Sequence, residues 1–191
     1  VFALLVLIIF NFALDLSPAR APELAPGVFW VAFSFAGVLA MNRAFFAEVE
    51  RGSLEGLLLL PVSRDAIYFG KLLGGLAFML ALEAALAPVF AVLLNIPILS
   101  WELALTVVLA TVGFATLATL FSALLVHTRS REVLLPLLFF PVVAPVVIGA
   151  VQATAGVVQG EGAGRWLPFL ALYDAIFLVI CPWLFGYLLE E

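Results

Sequence analysis

Apolar residues run almost unbroken through six stretches of this chain, and that pattern constrains its fold more than any other feature. The stretches are residues 1–14, 27–47, 66–94, 101–126, 133–155 and 166–189. A helix needs about 20 mostly apolar residues to cross a hydrocarbon core roughly 30 Å thick. The runs are too long, and lack the alternation, for the strands of a membrane barrel. An all-α membrane protein with six transmembrane helices is therefore expected, forming a single transmembrane domain over residues 1–191. The chain starts at Val1 inside the first run, and this short segment is expected to be a truncated transmembrane helix rather than a signal peptide. With 66% apolar and 11% charged residues, the chain is far from the roughly 25% charged composition of a soluble domain. A net charge of -5 with 8 Lys+Arg also speaks against nucleic acid as a partner. The partner is the lipid bilayer.

Lysine and arginine decide the orientation. Arg43, Arg51, Arg64 and Lys71 flank the second loop, Arg129 and Arg131 lie in the fourth, and only Arg20 and Arg165 fall in the first and fifth. Loops two and four are thus expected on the cytoplasmic side, with both termini cytoplasmic. Trp30, Trp101 and Trp166 are then expected at the outer interface, and Trp183 toward the inner end. The glycine-rich stretch Gly156–Arg165 reads as a flexible outer loop, and the prolines around Ser17–Pro26 read as a turn before the second span.

The cytoplasmic segment 48–65 carries the most information. Glu48, Arg51 and Glu55 are spaced to share one helical face. Gly52 interrupts that helix, and Ser53 can cap a new one with Glu55 in its first turn. Leu54–Leu60 supplies about two turns, roughly 10 Å of rise, before Pro61 stops it. Ser63 can cap the third span, with Asp65 in its first turn. Two readings of this short helix stand side by side: an amphipathic helix resting among lipid headgroups, and a coupling helix that docks on a cytoplasmic motor.

The stretch Glu50-Arg51-Gly52-Ser53-Leu54-Glu55-Gly56-Leu57-Leu58-Leu59-Leu60-Pro61-Val62-Ser63-Arg64, followed by Gly70-Lys71, resembles the loop motif of ABC-2-type permeases. Pro26-Gly27-Val28-Phe29-Trp30, Asn42-Arg43 and Leu134-Leu135-Pro136…Pro141 make the chain most similar to the haem exporter protein B family, CcmB. The resemblance implies an ABC-2-type permease architecture with a cytoplasmic coupling helix between the second and third spans. It implies a permease subunit in cytochrome c maturation that works in haem export or in ATP-driven release of a haem-loaded chaperone. A separate CcmA-like ATPase subunit would then bind ATP, and CcmC-, CcmD- and CcmE-like proteins would handle haem. Glu50, Arg51, Gly52, Ser53, Leu54, Glu55, Leu57 and Leu58 would be the ATPase-coupling residues. An ABC-2-type exporter of another cargo (drug, lipid or glycan) is the alternative.

The residues themselves agree with a non-enzymatic, dependent role. Gly70-Lys71 is followed by Leu72 and preceded at the glycine position of a P-loop by Asp65, so the ATP-binding fingerprint is absent. A lone cysteine, Cys181, excludes an internal disulfide, and a lone histidine, His127, excludes a multi-histidine metal site. His127, Cys181, Met41 and Met79 form no evident pair of haem ligands, so no cofactor is expected on this chain, haem being cargo or a partner's ligand. Glu83 and Asp174 are the carboxylates deep inside the apolar runs, about 16 Å and about 12 Å from the outer ends of their spans by helical rise. They are a candidate intramembrane polar site, read either as a polar, proton-accepting cavity or as neutral acids hydrogen-bonded for packing. Ala104, Thr111, Ala115, Ala118 and Ser122 form a small-residue stripe, read as a packing seam with a substrate lining as the alternative. Pro88 is expected to kink the third span, and Pro136, Pro141 and Pro145 to make the fifth the most broken, such prolines reading either as a hinge or as a helix tolerated by its neighbours.

Overall fold

The computed structural model describes residues 2–13, 21–50, 63–94, 100–124 and 131–188. They form six helices in chain order: α1 Phe2–Ala13, α2 Ala21–Glu50, α3 Arg64–Leu94, α4 Trp101–Leu124, α5 Arg131–Gln159 and α6 Trp166–Leu188. Helices α2 to α6 are each long and apolar enough to cross a membrane. The 12 residues of α1 rise about 18 Å and pack against α2.

Helix α4 is the axis of the bundle, in contact with α2, α3, α5 and α6. Its composition explains its place. Thr106 and Thr119 donate their hydroxyl protons to the carbonyls four residues back, both at 2.8 Å, and the Thr111 hydroxyl lies 2.7 Å from the Val107 carbonyl, so these small polar side chains sit in an apolar interior beside backbone acceptors. Of the small-residue stripe, Thr111, Ala115, Ala118 and Ser122 are buried between helices while Ala104 faces outward. Around α4 the core is aromatic: Phe114 packs edge-on against Phe33 of α2 and Phe139 of α5, with ring centroids 5.5 and 4.8 Å away. Met79 of α3 is wholly buried and lies over Gly37, where it fills core volume.

Caps fix the helix starts. Ser63 Oγ accepts from the Ala66 amide at 3.4 Å and Ser100 Oγ from the Leu103 amide at 3.1 Å. The Arg64 guanidinium donates to the Gly186 carbonyl at 3.0 Å, which brings the start of α3 to the end of α6 and sets a cation against that helix's negative terminus. At the other end of the bundle, Glu102 Oε2 accepts from the Ala163 amide at 3.1 Å, joining the start of α4 to the turn between α5 and α6.

Four expectations are corrected. The prolines before residue 27 do not form a turn as far as Pro26, because α2 already begins at Ala21; Pro22 sits in the first turn, where its missing N–H costs no bond. Trp30 is not an interfacial ring: it is buried, edge-on to Phe29 and Phe33, and its indole N–H donates to Thr154 Oγ1 at 2.9 Å. A hydroxyl on α5 satisfies the one polar atom that would otherwise hold the ring at the interface. Helix α5 is continuous through all three of its prolines, and Tyr173 of α6 donates to the Val142 carbonyl between the last two, at 2.6 Å. Packing against neighbours is what lets a membrane helix carry such residues.

The fourth correction concerns Gly156–Arg165, which is a tight turn rather than a loose loop. Helix α5 runs on to Gln159, and the amides of Glu161 and Gly162 both donate to the Gly156 carbonyl, at 2.8 and 3.0 Å. Gly160, Gly162 and Gly164 have φ of 82°, 78° and 51°, values that favour glycine. Ala163 is fully buried in a second core cluster with Leu7, Ala32, Phe90 and Ala153.

Candidate functional site

Of the expected coupling residues, Glu50 closes α2, whereas Arg51, Gly52, Ser53, Leu54, Glu55, Leu57 and Leu58 lie outside the described residues, as does His127. What the fold does position is the far end of that segment. Ser63 and Arg64 anchor it to the end of α6 through the cap and the Gly186 contact.

Glu83 and Asp174 both sit against α4, on different sides of it. Glu83 reaches in from α3 and is 4% exposed. The Thr111 hydroxyl lies 2.8 Å from its Oε1, 2.9 Å from its Oε2 and 2.7 Å from the Val107 carbonyl. A hydroxyl has a single proton to give, so one neutral side chain and no cation faces this carboxyl among the described residues. Asp174 reaches in from α6, also 4% exposed, and neither of its oxygens has a hydrogen-bond partner among the described residues. It is seated over Gly113, where a Cβ would come within 2.5 Å of Oδ1. Thr111 and Gly113 differ by only about 3 Å in rise but by about 200° around the helix. The two acids therefore share a level and are held apart by the width of α4, not juxtaposed as a reacting pair.

Sequence reading missed the residues that make these two seats. Thr111 stood only as a member of a small-residue stripe, and Gly113 had no role. The available signal was spacing on α4, and it becomes readable only once the helices facing that stripe are known. Cys181 is a buried free thiol within the main core cluster. No group of three or more metal-ligating side chains occurs among the described residues.

Glu83 also borders a cleft of about 290 Å³ between α3 and α4, closed on the inside by Phe29 of α2 and Thr154 of α5. Ala84, Ala104 and Val108 at its edge are exposed, so the cleft opens on the outer, lipid-facing surface of the bundle.

Five apolar helices of membrane-crossing length gathered on a threonine-rich axis, with acids buried at mid-span, define a multi-pass helical membrane protein. The family model described as CcmB protein matches residues 1–190. The chain belongs to the CcmB family. It is similar to heme exporter protein B of Haemophilus influenzae, 35% identical over 174 residues that cover 88% of this chain and 74% of that protein. It is likewise similar to heme exporter protein B of Pseudomonas aeruginosa, 30% identical over 186 residues, covering 95% of this chain and 82% of that protein. Heme exporter protein B of Escherichia coli K12 is 35% identical over a shorter stretch of 72 residues, 38% of this chain and 33% of that protein.

Proposed function

We propose that this chain is the membrane permease subunit of an ABC transporter complex of cytochrome c maturation. It serves haem export, or the release of a haem-loaded chaperone, by carrying motion from a separate ATPase subunit into the bundle. The observation that carries this reading is the family match over residues 1–190, with relatives named heme exporter protein B. ATP is bound by a CcmA-like partner, since Gly70-Lys71 lacks the rest of a P-loop. CcmC-, CcmD- and CcmE-like proteins handle haem beside it, and haem is cargo or a partner's ligand rather than a cofactor of this chain. The complex sits in the bacterial inner membrane with both termini cytoplasmic. The Arg64–Gly186 contact supports placing the second loop and the C-terminal end of α6 on one side.

The lever in this mechanism is the segment 48–65. A rigid short helix transmits force only if its far end is fixed, and the Ser63 cap and the Arg64 contact supply such a fixed end on α3. The test is co-purification of the ATPase from cells expressing both subunits. Leu57→Arg or Glu55→Lys should cut the recovered ATPase about tenfold, the effect of losing roughly 1.4 kcal/mol of interface. Unchanged recovery with both variants would exclude this segment as the docking point.

A further inference from the structure

The coupling proposed above makes no use of the cleft at Glu83, and the cleft has a chemistry of its own. Its walls are apolar and narrow, with Ala84, Ala87 and Ala91 on α3 and Ala104 on α4. At about 290 Å³ it approaches the size of small-ligand sites, which start near roughly 300 Å³. Phe29 and Phe90 stand edge to face in its lining, centroids 4.5 Å apart. Glu83 is its one titratable side chain, and no Lys, Arg or His lines it. The Thr154 hydroxyl already accepts from Trp30. Once ionised, the Glu83 carboxyl beside these rings, inside a hydrocarbon-like groove, attracts positive charge on an apolar body: the acid then supplies the counter-ion and the rings a cation–π contact. The ionised acid repels carboxylate-bearing amphiphiles.

We propose that the α3–α4 cleft is a binding site for lipophilic cations arriving from the bilayer, with Glu83 as counter-ion and Phe29 and Phe90 as the aromatic wall. The site is independent of which cargo the complex exports. A cation in it replaces the single neutral hydroxyl of Thr111 as the main partner of the Glu83 carboxyl. Its apolar rings lie among the alanines, and the rest of its body stays in lipid beyond Ala84 and Ala104.

The experiment is equilibrium binding of radiolabelled tetraphenylphosphonium to the full-length protein in phosphatidylcholine nanodiscs, corrected for empty nanodiscs. Tetraphenylborate, of the same shape and opposite charge, is measured in parallel. Saturable binding of the phosphonium and none of the borate is expected. Glu83→Gln should weaken phosphonium binding about tenfold, the scale of a desolvated charge contact, while Asp174→Asn, on the other side of α4, leaves it unchanged. Ala84→Trp blocks the mouth from an exposed position, disturbs no core contact, and should abolish saturable binding even if Glu83→Gln proves unstable. Equal binding of both probes, or full phosphonium binding by the Ala84→Trp protein, would overturn the assignment.

Discussion

Gly113 and Asp174 show how one residue's identity is dictated by another a helix away. Any side chain at position 113 drives a Cβ to within 2.5 Å of Asp174 Oδ1 and 3.2 Å of Val146 Cγ2, and neither neighbour is the far end of a long, adaptable chain. Gly113→Ala should therefore destabilise the protein by about 1–3 kcal/mol, the range for overpacking a close-packed core, despite alanine's higher helix propensity. The companion substitution Asp174→Ala removes both the obstruction and a buried carboxyl without a hydrogen-bond partner among the described residues. The double variant should recover most of that loss. Thermal unfolding in detergent reads both, and a double variant no more stable than Gly113→Ala would show that the acid is not what excludes the Cβ. From the sequence, Asp174 stood out because a carboxylate amid apolar residues is rare. Gly113 did not, since a small residue on a membrane helix has many uses.

At the level of elements, hydropathy was enough to count the helices among the described residues, because length and apolarity answer the same question in sequence and in structure. It did not distinguish a loose glycine loop from a tight one. Glycine is frequent in both, and the deciding partner, Glu102, lies 61 residues away from Ala163. Once that partner is known, the glycines of the α5–α6 turn are no longer equivalent. Gly160 has φ of 82° with open space around its Cα, so Gly160→Ala meets only the backbone cost of about 1 kcal/mol. Gly162 has φ of 78° and would also press a Cβ to 3.2 Å from Glu102 Oε2, disturbing the carboxylate that receives the Ala163 amide. Gly162→Ala should cost more than Gly160→Ala, by about 1 kcal/mol or more, the worth of a partly buried charge-assisted hydrogen bond. Equal melting temperatures for the two variants would mean that the Glu102 contact does not hold the turn. Prolines misled in the opposite direction. They read as breaks, yet α2 and α5 run through Pro26, Pro136, Pro141 and Pro145, because tertiary packing outweighs local preference once a helix is enclosed by others.

For the molecule as a whole, the charge asymmetry of the loops and the contacts between helix ends are independent statements about topology, and they agree on which ends share a side. Six of the eight basic residues flank loops two and four. Arg64 at the start of α3 meets Gly186 at the end of α6, while Glu102 at the start of α4 meets Ala163 before α6. Which of these two faces is cytoplasmic follows from the basic residues alone, so it calls for a direct measurement. Cys181 is the single cysteine of the chain and is buried, which makes a cysteine-free background simple: Cys181→Ala removes one sulfur from the core, at a cost of about 1 kcal/mol. Single cysteines are then placed at Asp65 and at Glu161, both exposed and at opposite ends of the bundle. A membrane-impermeant maleimide applied to intact spheroplasts should label the Glu161→Cys protein at once and the Asp65→Cys protein only after the membrane is opened. The reverse pattern would put the segment 48–65 on the outer face, beyond the reach of any ATPase, and would remove the coupling mechanism while leaving the fold and the Glu83 cleft intact.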